Sequence, residues 1–258
     1  MLKNTKYNAS LKWKYYIIKK IYLILLLVLL LILAIINIEK YKNELALNNH
    51  IKNFDNINGT NKIPILVFHR IVPDDLKKTV YRYNRYVGSL TIFNEMIKYI
   101  FDNGYKTISS EEFYKWYIGD VEYDNKTLLI TLDDGFYEDY YLVYPIIKKY
   151  NLKATSFVVG SRIKEKTASY YKYNSSFIGL DSINKIRMNY PFFEFQSHSF
   201  NMHYKLKMDN GNFKLGICIM SYRQLEIDTL NNKKYGFTTM AYPFGVFNKE
   251  IKQIPYSL

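Results

Sequence analysis

Apolar positions form one long unbroken block near the start of the chain and only short runs thereafter. Ile21–Ile38 reads IYLILLLVLLLILAIINI, eighteen residues without a charge. With Tyr16–Ile18 ahead of it, the block is long enough to cross a bilayer core of roughly 30 Å as a helix. A cleaved signal peptide is the alternative. No small-x-small cleavage site follows, however, and the run is long for a signal core. The pattern therefore predicts an uncleaved transmembrane helix at 21–38. Residues 39–61 are polar and asparagine-rich, end in Asn58-Gly59-Thr60-Asn61, and read as a tether.

From Ile63 onward, short apolar runs alternate with helical spacing. Ile63–Ile71, IPILVFHRI, reads as a strand closing on His69 and Arg70. Between Tyr86 and Gly104, Leu90, Phe93, Met96, Ile97, Ile100 and Phe101 recur at helical intervals, with Ser89 or Thr91 available as the cap. A second helix is expected from Ser109 or Ser110, with Glu111 and Glu112 in its first turn. Leu128–Leu132 is a buried-strand run that ends abruptly in Asp133, Asp134 and Gly135. Further helices are expected at 139–150, with Pro145 as a kink, at 182–188, and at 221–230 with Leu225 inward. Further strands are expected at 153–160, 192–196 and 237–242, while 161–176 reads as irregular. Strands alternating with helices imply an α/β domain over 62–258 with a parallel sheet and right-handed crossovers.

Charge fixes an orientation for the first block. Of the formal +13, six positives are Lys3, Lys6, Lys12, Lys14, Lys19 and Lys20, all ahead of the apolar span. Glu39, Lys40, Lys42 and Glu44 nearly cancel after it. By the positive-inside rule, residues 1–20 lie in the cytoplasm and the domain lies outside the cell. The remaining 30 Lys and Arg against 23 Asp and Glu leave +7 without a long basic run, so nucleic acid is not an expected partner. The single Cys218 cannot form an internal disulfide and reads as a small core residue.

The chemistry collects at predicted strand ends. His69, Asp133-Asp134, His198 and Tyr242-Pro243-Phe244-Gly245 each close a predicted strand, the end that carries active sites in parallel barrels. Adjacent carboxylates at the mouth of a buried strand repel each other and lose hydration, which a cation would relieve; a solvated Asp-Asp-Gly turn is the alternative. His198 and His203 are five residues apart, about 140° around a helix, so the pair suits a strand end followed by a turn. Two neutral imidazoles and one carboxylate make a three-ligand metal site with positions left for water.

TLDDG at 131–135, SHSFNMH at 197–203 and AYPFG at 241–245, in that order, resemble the polysaccharide deacetylases of carbohydrate esterase family 4, which carry the NodB homology domain. The wide spacing of the histidines is similar to the subgroup acting on exported poly-N-acetylglucosamine. The resemblance covers about residues 62–250. It implies a distorted (β/α) barrel in which Asp134, His198 and His203 hold a divalent metal, zinc by default with cobalt, nickel, iron or manganese also acceptable. It further implies Asp133 as general base, and an oxyanion resting on the metal and a backbone N–H, that of Tyr242, beside Pro243, Phe244 and Gly245. The family's third motif often opens with an arginine; here Met240 and Ala241 precede Tyr242. The family also continues past Pro-Phe-Gly to a late histidine, whereas the sequence ends at Leu258, so a shortened barrel is expected. Of the four histidines, His50 lies in the tether, which leaves His69 as the acid or an orienter; fixing loop structure is its bland role.

The expected function is a membrane-anchored, metal-dependent N-deacetylase of an extracellular amino-sugar polysaccharide, either poly-N-acetylglucosamine or a cell-wall glycan. The competing readings are a sugar-binding relic that has lost the reaction, and a basic surface protein with no metal site.

Overall fold

The structure is a computed structural model that describes residues 19–38, 41–42, 62–167 and 176–247. The chain divides into two units, Met1–Asn53 and Phe54–Leu258. In the first, helix α1 (Lys19–Ile38) is the one described helix long and apolar enough to cross a membrane, 20 residues in length. The basic segment before Lys19, most of the tether, and residues 168–175 and 248–258 lie outside the described residues.

The second unit opens with β1 (Ile65–Phe68), β2 (Arg70–Val72), α2 (Asp74–Lys78), β3 (Val87–Ser89) and α3 (Leu90–Asp102). Next come β4 (Lys106–Ile108), α4 (Ser110–Tyr117), β5 (Thr127–Asp134), a π-helical turn at Asp139–Val143, α5 (Tyr144–Lys149) and β6 (Ala154–Val158). After a 3-10 turn at Gly160–Arg162 follow α6 (Leu180–Asn189), β7 (Phe193–Ser197), β8 (Lys205–Lys207), β9 (Phe213–Leu215), α7 (Gly216–Ile219) and α8 (Tyr222–Lys233). A second 3-10 turn spans Pro243–Gly245. β5 is the organising strand. It pairs in parallel with β1, β4 and β6, and β6 pairs in parallel with β7, which makes a five-stranded parallel sheet.

Alternation along the strands separates two faces. Leu128, Ile130 and Leu132 of β5 and Phe193 and Phe195 of β7 pack in one core with Phe93, Ile97 and Ile100 of α3, Ile147 of α5, and Ile183 and Ile186 of α6. Of the intervening residues Leu129 is apolar, while Thr131 and Glu194 are polar and hydrogen-bonded. The Thr131 hydroxyl donates to the Leu66 carbonyl (3.1 Å), and the Thr155 hydroxyl donates to Glu194 (2.6 Å). At the foot of this face, α4 begins on a capping box. The Ser109 hydroxyl accepts the Glu112 amide while the Glu112 carboxylate accepts the Ser109 amide.

Three expectations are corrected. The run 63–71 is two strands broken at His69, because Arg70 turns inward to a buried ion pair with Glu138 (2.7 Å) and β2 leaves to pair with β3. Segment 237–242 is extended alongside β7 but forms only one parallel bridge, Ser197 to Met240. The Gln196 side-chain oxygen accepts the Thr238 and Thr239 amides (2.8 and 3.1 Å) and diverts donors that a ladder would use. Cys218 is exposed rather than core, since the one turn of α7 buries Gly216 and Ile217 instead. Leu225 is inward, as expected.

Candidate metal centre

Sheet register sets one row across the carboxyl ends of the strands. Asp134 lies beside Val158, Val158 beside Ser197, and Ser197 beside Met240. His69 directly follows β1 and His198 directly follows β7, so the groups singled out in the sequence share this edge. Four described non-glycine residues have positive φ, and three of them lie here: Asp134 (80°), Ser199 (66°) and Phe244 (62°). Such conformations cost free energy that surrounding structure must supply, and they cluster at working sites. Gly135 continues the left-handed turn at φ 70°, where a Cβ would collide with Val158.

Asp134, His198 and His203 each present one ligand atom, and these atoms lie within 4.8 Å of one another. His203 Nε2 is 3.1 Å from Asp134 Oδ1. Burial pushes the His198 imidazole down to about 4, with His203 adding to the effect, and burial also lowers His203. Both rings are thus neutral at ordinary pH, the form that ligates a metal. His198 Nδ1 lies 2.9 Å from the Ala241 carbonyl, which only accepts, so Nδ1 carries the hydrogen and Nε2 keeps its lone pair. One carboxylate and two neutral imidazoles at this spacing fit a divalent cation of the zinc type.

Asp133 stands next to this group. Burial, and then the charge of Asp134, pushes its carboxyl up to about 7. His69 Nε2 is 3.9 Å from Asp133 Oδ2, and its ring centroid is 5.3 Å from that of Tyr86. The Arg70–Glu138 pair ties the residue after His69 to the segment after the aspartates. The 242–245 segment arrives beside the row, and the Phe244 ring lies 4.5 Å from the His203 ring.

Two residues at the site carry no signal in the sequence. Asp228, buried in α8, accepts the backbone amides of Phe200 (2.6 Å) and Asn201 (2.7 Å), the middle of the loop between the two histidines. Arg162, in the stretch expected to be irregular, approaches Asp134 and His203. An acid within a helix and an arginine in a polar loop are ordinary surface patterns; only the tertiary contact distinguishes them.

The polysaccharide deacetylase family profile matches residues 120–258, and the chain belongs to that family. The poly-beta-1,6-N-acetyl-D-glucosamine N-deacetylase of Staphylococcus aureus is 27% identical over 174 residues, 64% of this chain and 56% of that protein. Matches to the first curated relatives span 34% and 56% of their lengths. Among solved structures, the de-N-acetylase from Aggregatibacter actinomycetemcomitans superposes with a TM-score of 0.61 at 21% identity, covering 75% of this chain and 85% of that one. IcaB from Ammonifex degensii gives a TM-score of 0.61 at 19% identity, covering 76% and 79%. At these identities the structures show a shared α/β deacetylase fold.

Proposed function

We propose that this protein is a metal-dependent hydrolase that removes N-acetyl groups from an extracellular amino-sugar polysaccharide. The convergence of Asp134, His198 and His203 beside Asp133 carries the reading. A divalent cation held by those three residues, zinc by default, would supply Lewis-acid polarisation of the acetamide carbonyl and acidify a water. Asp133 takes that water's proton; a carboxyl near neutrality in its proton affinity is well matched to this task. The water oxygen forms the new bond to the acetyl carbon, the C–N bond breaks, and the nitrogen receives a proton, giving acetate and a free amine. His69, within 3.9 Å of Asp133, either orients that carboxylate or delivers the proton to nitrogen. The Tyr242 amide and the Pro243, Phe244 and Gly245 turn line the acyl side.

In this reading residues 62–258 are the deacetylase domain, a distorted (β/α) barrel built on the five-stranded sheet. Residues 1–20 lie in the cytoplasm, 21–38 span the membrane, and 39–61 tether the domain outside the cell. The polymer is poly-N-acetylglucosamine or a cell-wall glycan, in keeping with the named activity of the staphylococcal relative.

The test uses the full chain in detergent with added zinc or cobalt. Acetate release is followed from β-1,6-linked N-acetylglucosamine oligomers and from chito-oligomers. Turnover of either is expected; oligomer binding without acetate points to a sugar-binding relic instead. Asp228 supplies a second expectation. Asp228→Ala frees the Phe200 and Asn201 amides and loosens the loop that spaces the two imidazoles. Zinc affinity, read by competition with a chromophoric chelator, is expected to fall roughly 10- to 100-fold. Unchanged affinity would remove Asp228 from the site's support.

A further inference from the structure

We infer that the hairpin β8–β9 selects an acidic glycan, an N-acetylated polysaccharide carrying carboxylates along its length, and holds it beside the site through Lys205 and Lys207. The inference rests on the deacetylase reading above and narrows its substrate. The hairpin leaves the site directly, since β8 begins two residues after His203. Its base is fixed. The Gly216 amide donates to the Tyr204 carbonyl (2.9 Å), and a Cβ on Gly216 would collide with the Met202 carbonyl and the Tyr204 ring. Its far end is closed as well, with the Met208 amide donating to the Asn212 carbonyl (2.8 Å) and Gly211 at φ 80°.

Register decides which side chains look toward the site. Lys205 lies opposite Leu215 and Lys207 opposite Phe213, so these four share one face, while Leu206 and Lys214 share the other. Leu215 packs, as do Met240 and Tyr242, against the cluster of Met202, Ile217 and Leu225. That contact turns its face toward the 242–245 turn. Lys205 follows the same direction. Its Nζ lies 5.2 Å from the centre of the Phe244 ring, which itself lies 4.5 Å from the His203 ring. Phe213, 60% exposed, offers a rigid apolar ring on the same side for a sugar to lie against.

Between Tyr204 and Leu215 stand three lysines and one acid, Asp209. All three lysines are exposed, and none forms an ion pair among the described residues. Positive charge at the mouth of a site raises the local concentration of anions and repels cations. A glycan rich in free amines is therefore disfavoured, and one with carboxylates is drawn in. Spacing selects the anion. Lys205 and Lys207 are two positions apart on a strand, about 7 Å. The hairpin carries no arginine to grip a phosphate with a planar fork, and two spread point charges match single charges repeated along a polymer. A lipid surface is a poorer match. The exposed apolar residues Leu206 and Phe213 lie on opposite faces and form no single apolar face to insert.

The experiment compares two polymers of one backbone, neutral glycol chitin and carboxymethyl chitin, with the full chain in detergent and added zinc. Wild type is expected to release acetate from carboxymethyl chitin with a kcat/KM about three- to tenfold higher, the size that a few exposed charge contacts supply. The preference should vanish between about 0.1 and 1 M salt, as the screening length shrinks from about 10 to 3 Å. Lys205→Gln/Lys207→Gln loses the preference, whereas Lys214→Gln, on the other face, keeps it. Equal turnover of both polymers by wild type, a preference kept by the double variant, or the same loss in Lys214→Gln overturns the inference while the deacetylase reading stands. Acetate from the neutral oligomers above but from neither chitin overturns it too. A defect of the double variant seen only in vesicles of anionic lipid, with both polymers alike, assigns the lysines to the lipid surface instead. If no substrate yields acetate, the deacetylase reading fails on its own account and retention of the protein by each polymer decides. Salt-sensitive retention by carboxymethyl chitin alone, lost in the double variant, supports the role of the hairpin; equal retention or none overturns it.

Discussion

Replacing Asp134 by asparagine is expected to cost the protein its divalent cation and its acetate release together. The substitution keeps size and shape. It is also tolerated where φ is 80°, because asparagine, like aspartate, enters the left-handed region more readily than other non-glycine residues. Backbone strain therefore does not confound the result. What is lost is the only carboxylate of the three-residue group, leaving two neutral imidazoles and an uncharged amide oxygen. Losing a direct ligand costs more than the roughly 10- to 100-fold typical of a supporting contact. Metal content after gel filtration and acetate release from oligomers are the readouts. An Asp134→Asn protein that retains one zinc per chain would sink the proposed centre. Circular dichroism separates this from unfolding. Asp134 also pairs with the half-buried Arg162, so the variant leaves that guanidinium without this partner, and a small loss of stability is expected alongside.

The parts of this centre that were legible in the sequence are those whose signal is local. Leu128–Leu132 followed by Asp133-Asp134-Gly135 marks a buried strand with a charged end, and the structure shows β5 with those residues at its mouth. The cap of α4 was readable because Ser109 and Glu112 act across three residues. Errors arose where a distant residue decides. The break at His69 follows from Arg70 meeting Glu138, 68 positions away. The failed strand at 237–242 follows from one side-chain oxygen, that of Gln196, capturing two amides. Hairpin β8–β9 was missed because its strands are three residues each, too short for the alternation at Lys205, Leu206 and Lys207 to stand out, and all three are exposed. Asp228 and Arg162 are of the same kind: their parts in the site exist only in three dimensions. Yet His198 and His203, despite an offset foreign to one helix face, meet because Ser199 takes up the left-handed turn between them.

Asp133→Asn separates proton transfer from metal binding. Asp133 is not among the three residues whose ligand atoms converge, so the variant is expected to retain zinc and fold as wild type does. The asparagine amide cannot take a proton from water at neutral pH. Loss of a positioned general base typically costs about 10²- to 10⁴-fold, and kcat for acetate release should fall within that range while zinc content stays at wild-type level. His69 adds the discriminating step. If it works by orienting Asp133 across their 3.9 Å separation, His69→Ala slows wild type but adds little to Asp133→Asn, because the group it orients is already gone. If it delivers a proton to the leaving nitrogen on its own account, the two losses multiply. Wild-type turnover in Asp133→Asn would assign the base elsewhere, and with it the reason for burying a carboxyl beside a second one.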